Sequence, residues 1–138
     1  MKILLDSHIL LWLAWDKKEN LSPQAVELLD DPTSEIYFSL ASLWEIAIKS
    51  SLGKPDFDID VEALEQGLIQ VGCRMLAIEL PHILKQAQYP FIHRDPFDRL
   101  LMAQAEVENV FFMTADTMIL KYQKPYTIDV RSYKNCNF

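Results

Sequence analysis

The chain has 138 residues, close to the usual size of a single domain, and half of them are hydrophobic, which excludes an intrinsically disordered chain. No apolar run approaches the roughly 20 residues that a membrane-spanning helix needs. The formal net charge of −7 argues against a general nucleic-acid coat protein, which would be basic, although a nuclease with a local basic surface is not excluded.

Short apolar strands and helices are predicted to alternate along the chain. The strands are predicted at residues 2–5, 35–38, 74–78, 110–113 and 127–130. The helices are predicted at residues 7–15, 23–29, 41–52, 61–69, 81–87, 96–106 and 117–122. This order predicts an α/β fold with a roughly five-stranded parallel sheet covered by helices on both faces. Residues 1–131 are expected to form one domain, and residues 132–138 a C-terminal tail.

The chain is expected to be cytoplasmic, with no membrane partner. Its N-terminus lacks the basic segment of a signal peptide. Its two cysteines, Cys73 and Cys136, show no metal-ligand spacing, so both are expected to be free thiols, as in proteins of reducing compartments.

Four acidic residues stand at related points of this pattern. Asp6 ends the first predicted strand, and Asp116 lies shortly after the fourth. Glu45 and Asp98 fall near the starts of two predicted helices. Open α/β sheets gather ligands and catalytic groups outside the carboxyl ends of their strands, so we expect the four carboxylates to converge there.

Convergence of four carboxylates requires something that relieves their repulsion. At about 4 Å and an effective dielectric of about 20, each like-charged pair costs roughly 4 kcal/mol. Either protonation or a bound divalent cation relieves this cost. Sites made only of oxygen ligands suit Mg²⁺ or Mn²⁺.

The first two acidic residues also fit purely structural roles. Asp6 fits a helix cap, although Ser7 is available as the cap of the same helix. The segment from Ser42 to Glu45 fits a capping box, in which the glutamate accepts a hydrogen bond from a free backbone N–H. The residues alone leave both roles open.

The last acidic residues have similar alternatives. Asp95 precedes Pro96 and fits a helix cap, the role that we favour for it. Asp98 fits a carboxylate placed at a helix start by the helix dipole, and Asp116 fits a cap of the last helix. For Asp98 and Asp116 the choice between structure and chemistry stays open at this point.

Four segments occur in a fixed order along the chain. They are residues 4–12 (LLDSHILLW), 42–49 (SLWEIAIK), 93–105 (HRDPFDRLLMAQA) and 114–116 (TAD). Together they resemble the PIN-domain family, and within it the VapC-like toxin branch. The resemblance spans residues 2 to about 130, and the stretch at 93–99 is its most specific part.

The resemblance implies a site and a function. The four acidic residues match the metal-binding positions of the family, with Ser7 and Thr114 at its small hydroxyl positions beside the metal. Asp95 departs from the family pattern, in which the third acidic residue often stands alone, and is expected to support the site as a second carboxylate one helical turn before Asp98. The family implies a metal-dependent endoribonuclease that uses Mg²⁺ or Mn²⁺ to hydrolyse RNA phosphodiester bonds. The branch implies the toxin of a toxin–antitoxin pair, a small antitoxin partner and a homodimer.

Basic and aromatic residues have less specific patterns. Lys49, Arg94 and Arg99 are candidates for a basic rim that meets the substrate, or are solvated surface charges. The two histidines His8 and His93 are expected to be polar surface or cap residues rather than ligands, because four carboxylates need no histidine.

The three tryptophans could either lie in the core or stack on nucleic-acid bases. Trp12, Trp15 and Trp44 lie at helical spacing among apolar residues, so they are expected in the core rather than stacked on bases.

Two other classes of function fit parts of the sequence. One is a phospho-acceptor domain of the receiver type, which is also α/β with acidic strand ends but carries an adjacent acidic pair after the first strand, where this chain has Asp6, Ser7 and His8. The other is a catalytically silent PIN-fold binding module, against which the complete set of acidic residues argues.

Overall fold

The structure is a computed structural model, and it describes residues 1–55, 57–91 and 94–131. The five strands are β1 (Lys2–Leu5), β2 (Glu35–Ser39), β3 (Arg74–Leu76), β4 (Phe111–Thr114) and β5 (Thr127–Asp129). The helices are α1 (Ser7–Ala14), α2 (Pro23–Asp30), α3 (Leu40–Ser51), α4 (Val61–Gln70), α5 (Leu80–Gln86), α6 (Pro96–Glu108) and α7 (Thr117–Leu120), with a 3₁₀ turn at Lys18–Asn20. The predicted tail at 132–138, with Cys136, lies outside the described residues.

The strands form one parallel sheet in the order β3-β2-β1-β4-β5. The predicted α/β fold with a five-stranded parallel sheet is therefore confirmed. β1 occupies the centre, and its residues 3–5 are fully buried. Because successive side chains of a strand point to opposite faces, Ile3 and Leu5 pack into one core cluster and Leu4 into the other.

Helices cover both faces of the sheet. Apolar residues of α1, α2 and α4 pack on the face of Ile3 and Leu5. Apolar residues of α6 and α7 pack on the face of Leu4, and α3 contributes to both clusters. No helix within the described ranges is long and apolar enough to cross a membrane.

Local signals explain where several helices begin and end. The Ser22 side chain accepts a hydrogen bond from the Ala25 N–H, with Pro23 as the first helical residue of α2. Asp60 caps α4 in the same way. After α3, Gly53 has a φ of +69°, a conformation that glycine adopts without strain.

The structure decides two alternatives that the sequence left open at helix starts. Asp6, not Ser7, holds the N-cap position of α1, and its side chain makes no capping hydrogen bond. Helix α3 begins directly after β2, with Ser39 as its cap, so a capping box does not form at Ser42 and Glu45. Both residues instead lie within α3 and are buried.

The expectation that the three tryptophans lie in the core was wrong for Trp15 and Trp44. Trp12 packs against the core, but Trp15 and Trp44 retain 37% and 58% of their exposure. Helix α3 carries apolar residues on more than one face, so its sequence does not reveal which face turns inward. Leu43 and Ile46 are buried, whereas Trp44 faces solvent and its ring contacts that of Phe97 edge to face, with 5.0 Å between the ring centroids.

Candidate active site

The carboxyl ends of β1 and β4 lie side by side at the point where the strand order changes direction. From β1 the chain builds β2 and β3 on one side, and β4 and β5 then occupy the other side. Such a switch point leaves a crevice between neighbouring strand ends. Asp6 follows β1 directly, and Asp116 comes two residues after β4, so both stand at this crevice.

Glu45 and Asp98 reach the same edge from helices. Helix α3 starts where β2 ends, which places Glu45 in its second turn near the carboxyl edge. Helix α6 ends three residues before β4 begins, so its last turn lies at the amino edge of the sheet. Its 13 residues span about 20 Å, and the opposite end, with Asp98 as third residue, lies at the carboxyl edge.

Asp98 is the electrostatic centre of this acidic group. Its side chain is buried, with 7% exposure for the residue. Burial, as the largest cause, and the negative charges of Asp6, Asp95, Glu45 and Asp116, in that order of effect, together raise the pKa of Asp98 to about 9. The structure thus brings the four carboxylates predicted from the sequence, together with Asp95, within electrostatic reach of one another.

Asp6 is held by a neighbouring hydroxyl group. Thr114 Oγ1 donates a hydrogen bond to Asp6 Oδ2 at 2.6 Å and accepts one from the Asp116 N–H at 3.0 Å. Burial raises the pKa of Asp6, the hydrogen bond from Thr114 opposes that rise, and the charge of Asp116 adds to it. The second oxygen, Oδ1, is buried without a hydrogen-bond partner within the described part of the chain.

Glu45 is held in a similar half-satisfied way. Its Oε2 lies 3.1 Å from Lys49 Nζ, one turn further along α3. Its Oε1 is buried, and no described residue hydrogen-bonds to it. Buried polar atoms are nearly always paired, so two such oxygens in one acidic group point to a partner that belongs there.

A serine that sequence reasoning did not assign to the site supports it. Ser7 Oγ donates to Ser42 Oγ at 2.9 Å, and both residues are buried. The bond ties the start of α1, next to Asp6, to the helix that carries Glu45. Ser42 was considered only as a cap, although it lies three residues before Glu45 and therefore near it on the same helix face.

Asp95 and Asp116 both cap helices, as their positions suggested. Asp95 Oδ1 accepts from the N–H groups of Phe97 and Asp98 at the start of α6. Asp116 Oδ1 accepts from the Met118 N–H at 2.8 Å at the start of α7. Capping and membership of the acidic group coexist, because both residues also raise the pKa of Asp98.

The candidate rim residues are placed differently from one another. Lys49 pairs with Glu45, whereas Arg94 is exposed. Arg99 places its guanidinium carbon 4.5 Å from the centroid of the Phe91 ring, a cation–π contact. His8 is exposed, and His93 lies outside the described residues.

The donor atoms of this group are carboxylate and hydroxyl oxygens, which suit hard divalent cations such as Mg²⁺ or Mn²⁺. Among residues 1–55, 57–91 and 94–131, no three Asp, Glu, His or Cys side chains stand close enough together to hold a metal ion as placed. The carboxylates are therefore gathered at one edge, but their oxygen atoms do not converge on a single point.

Several solved structures have the same fold as this chain, and three of them are chains of the complexes VapBC-1, VapBC2 and FitAB. A chain of VapBC-1 from nontypeable Haemophilus influenzae is 16% identical, with a TM-score of 0.65 over 94% of this chain and 98% of that chain. A chain of VapBC2 from Rickettsia felis, bound to a promoter DNA fragment, is 16% identical, with a TM-score of 0.64 over 96% of this chain and 98% of that chain. A chain of FitAB bound to the IR36 DNA fragment is 19% identical, with a TM-score of 0.64 over 92% of this chain and 94% of that chain.

The TM-scores show that these chains share the fold of this protein. No curated protein sequence matches the chain. The family model of the PIN domain, however, matches residues 3–125, which include all four segments noted in the sequence. The chain belongs to the PIN domain family.

Proposed function

We propose that residues 1–131 form one nuclease domain that cleaves RNA internally with the help of Mg²⁺ or Mn²⁺. The observation that carries the proposal is the buried acidic group at the switch point, in which Asp98 has its pKa raised to about 9 by burial and by four acidic neighbours. A perturbed carboxylate in a crevice is a physical sign of a functional site. The nuclease activity follows from the family, and RNA as substrate from the resemblance to the VapC-like toxin branch.

The residues present fit a divalent cation. Asp6 and Asp98 would be direct ligands, and Glu45 and Asp116 would complete the site directly or through water. The unpaired buried oxygens Asp6 Oδ1 and Glu45 Oε1 support this assignment, because a cation would satisfy both. Since the carboxylates do not converge as placed, binding requires their side chains to draw together.

The cation would supply a water activated at neutral pH and a positive charge for the phosphate. The protein's own groups prepare the site for that chemistry. The hydrogen bond from Thr114 fixes the orientation of the Asp6 carboxylate, and its acceptance of the Asp116 N–H fixes the turn after β4. The Ser7–Ser42 bond fixes α1 against α3. These hydroxyl groups position the acidic residues, because each is already hydrogen-bonded within the protein.

The receiver-type alternative is excluded by the fold. Receiver domains have the strand order 2-1-3-4-5, whereas this sheet has the order 3-2-1-4-5, and the chain matches the PIN domain. The catalytically silent binding module remains as the competing hypothesis, and activity separates it from a nuclease.

The test is cleavage of total cellular RNA by the purified protein. We expect cuts in the presence of Mg²⁺ or Mn²⁺ and none after EDTA, with recovery when metal is added back in excess. Cleavage that persists in EDTA would refute the role of metal. A folded protein that neither binds metal nor cuts RNA would favour the catalytically silent binding module.

We further propose two protein partners, a small antitoxin and a second copy of this chain. The fold shared with chains of VapBC and FitAB complexes supports the first. An exposed apolar stripe supports the second, because α3 presents large side chains at every fourth position. Its members are Leu40, Trp44, Ile48 and Leu52, each between 40% and 62% exposed. One helix face repeated in two copies gives the self-complementary surface of a two-fold dimer.

Light scattering on the purified chain should give the mass of a dimer. Trp44→Asp places a charge in the middle of the stripe and should give a monomer with unchanged secondary structure. The control is Val71→Asp, which places the same charge at another exposed apolar position, just beyond the end of α4. A monomeric wild type, or a dimer that survives Trp44→Asp, would contradict the proposed interface. Growth arrest on expression, relieved by the product of a short upstream reading frame, would test the antitoxin.

A further inference from the structure

Lys49 has a position that a solvated surface lysine would not have. Its Nζ lies 3.1 Å from Glu45 Oε2, and its own side chain is 44% exposed while that of Glu45 is 6% exposed. The aliphatic stem runs along α3 and brings the ammonium group from solvent to a buried carboxylate. The pair therefore differs from ordinary surface ion pairs, in which both partners are hydrated.

The carboxylate that Lys49 meets belongs to the acidic group. The charge of Glu45 helps to raise the pKa of Asp98, so an ammonium at Glu45 also lowers the repulsion that the other carboxylates experience. Only one oxygen of Glu45 takes part in this pairing, while Oε1 remains buried without a hydrogen-bond partner in the described part of the chain. Glu45 is thus turned toward Lys49 with half of its binding capacity unused.

We propose that Lys49 is an internal counter-ion of this site, which competes with a divalent cation for the carboxylate of Glu45. The inference rests on the proposed function to the extent that a divalent cation binds this group. Lys49 neutralises part of the acidic charge and holds Glu45 on its own side. A cation that binds Glu45 through Oε1 meets a carboxylate whose charge Lys49 already partly neutralises, and movement of Glu45 toward the other carboxylates weakens the 3.1 Å pair. The metal affinity is therefore lower than four carboxylates alone would give.

The proposal makes an unusual prediction, because loss of a basic residue should improve metal binding. In Lys49→Met the stem is kept and the charge is lost. Isothermal titration with Mn²⁺ should show a Kd that is lower than that of the wild type by roughly three- to tenfold, the range expected for loss of a partly exposed ion pair. Lys49→Arg keeps the charge and should stay within about twofold of the wild type.

A matched control tests whether overall charge alone explains the change. Lys2 also pairs with a glutamate, with its Nζ 3.9 Å from Glu35 Oε2, but at the first residue of β1 on the opposite edge of the sheet. Lys2→Met changes the net charge and breaks an ion pair equally, and it should leave the Kd for Mn²⁺ unchanged. Thermal unfolding supplies a second readout. Without metal Lys49→Met should unfold at a lower temperature than the wild type, and Mn²⁺ should raise its Tm by a larger increment.

The outcomes separate this inference from the proposed function. If the wild type binds no Mn²⁺ at millimolar concentration, the metal-dependent function falls and the inference falls with it. If the wild type binds Mn²⁺ but Lys49→Met binds it equally or more weakly, only the inference is overturned. An equal gain in Lys2→Met would also overturn it, because the effect would then be one of net charge.

Discussion

Replacing Asp98 by asparagine is expected to reduce RNA cleavage at saturating Mn²⁺ by about a hundredfold or more while the fold stays intact. Asn keeps one neutral carbonyl oxygen but lacks the negative charge that makes a carboxylate a strong ligand of a hard divalent cation. Burial and the neighbouring carboxylates together raise the pKa of Asp98 to about 9, which means that the charged form is costly in the folded protein. The neutral Asn should therefore cost no stability, and circular dichroism and thermal unfolding of the metal-free variant would check this.

The matched variant is Asp95→Asn, one helical turn earlier. Asp95 Oδ1 accepts the two hydrogen bonds that cap α6, and the amide oxygen of Asn caps about as well. We expect reduced but measurable cleavage from this variant, because its charge reaches Asp98 without being a proposed ligand. Near-normal cleavage by Asp98→Asn would contradict the assignment of the ligand. Complete loss in Asp95→Asn alone would move that role to the earlier residue.

Gln104→Met is expected to lower the free energy of unfolding by about 2–3 kcal/mol. Gln104 is fully buried in α6 and joins this helix to Ser39 at the end of β2 and to Ala77 directly after β3. Its Oε1 accepts from Ser39 Oγ at 2.5 Å, and its Nε2 donates to the Ala77 carbonyl at 3.2 Å. Met fills a similar volume but leaves both partners without these bonds in the interior, where an unpaired polar group is costly.

Urea unfolding measures this loss as a lower midpoint with an unchanged m value. Gln66→Met makes the same replacement at an exposed position of α4 and should change stability by less than about 0.5 kcal/mol. A loss of comparable size in both variants would show that helix propensity, and not the buried bonds of Gln104, determines the result.

The sequence was sufficient for the architecture because each element carries its own local signal. The apolar run at Ile3 and Leu5, the Ser22–Pro23 start and the stop at Gly53 each specify a strand, a helix start or a helix end. Helix boundaries differed by one or two residues where helices fray. The buried face of α3 could not be predicted from the sequence, because Leu43 and Trp44 are both apolar and only tertiary contacts determine which of them is buried.

The candidate site was predictable in its carboxylates but not in its supporting bonds. Asp6 and Asp116 follow strands, and the order of a parallel sheet brings such positions together. The Ser7–Ser42 bond joins residues 35 positions apart, and no local pattern announces it. The sequence also could not show that Asp116 both caps a helix and belongs to the acidic group. An aspartate at a helix start is typical of a cap and of a metal ligand alike, so only the structure shows both roles.

The bond between Thr114 and Asp6 joins residues 108 positions apart. β1 has β4 as one of its two neighbours in the sheet, and β4 is synthesised more than a hundred residues after β1. A nascent chain that ends before β4 lacks Asp116 and also lacks Thr114, whose hydroxyl orients Asp6. It also lacks one of the two strands that pair with β1. The acidic group is therefore completed only after β4 has been synthesised, and a nascent chain that has not reached β4 carries the first carboxylates without the site.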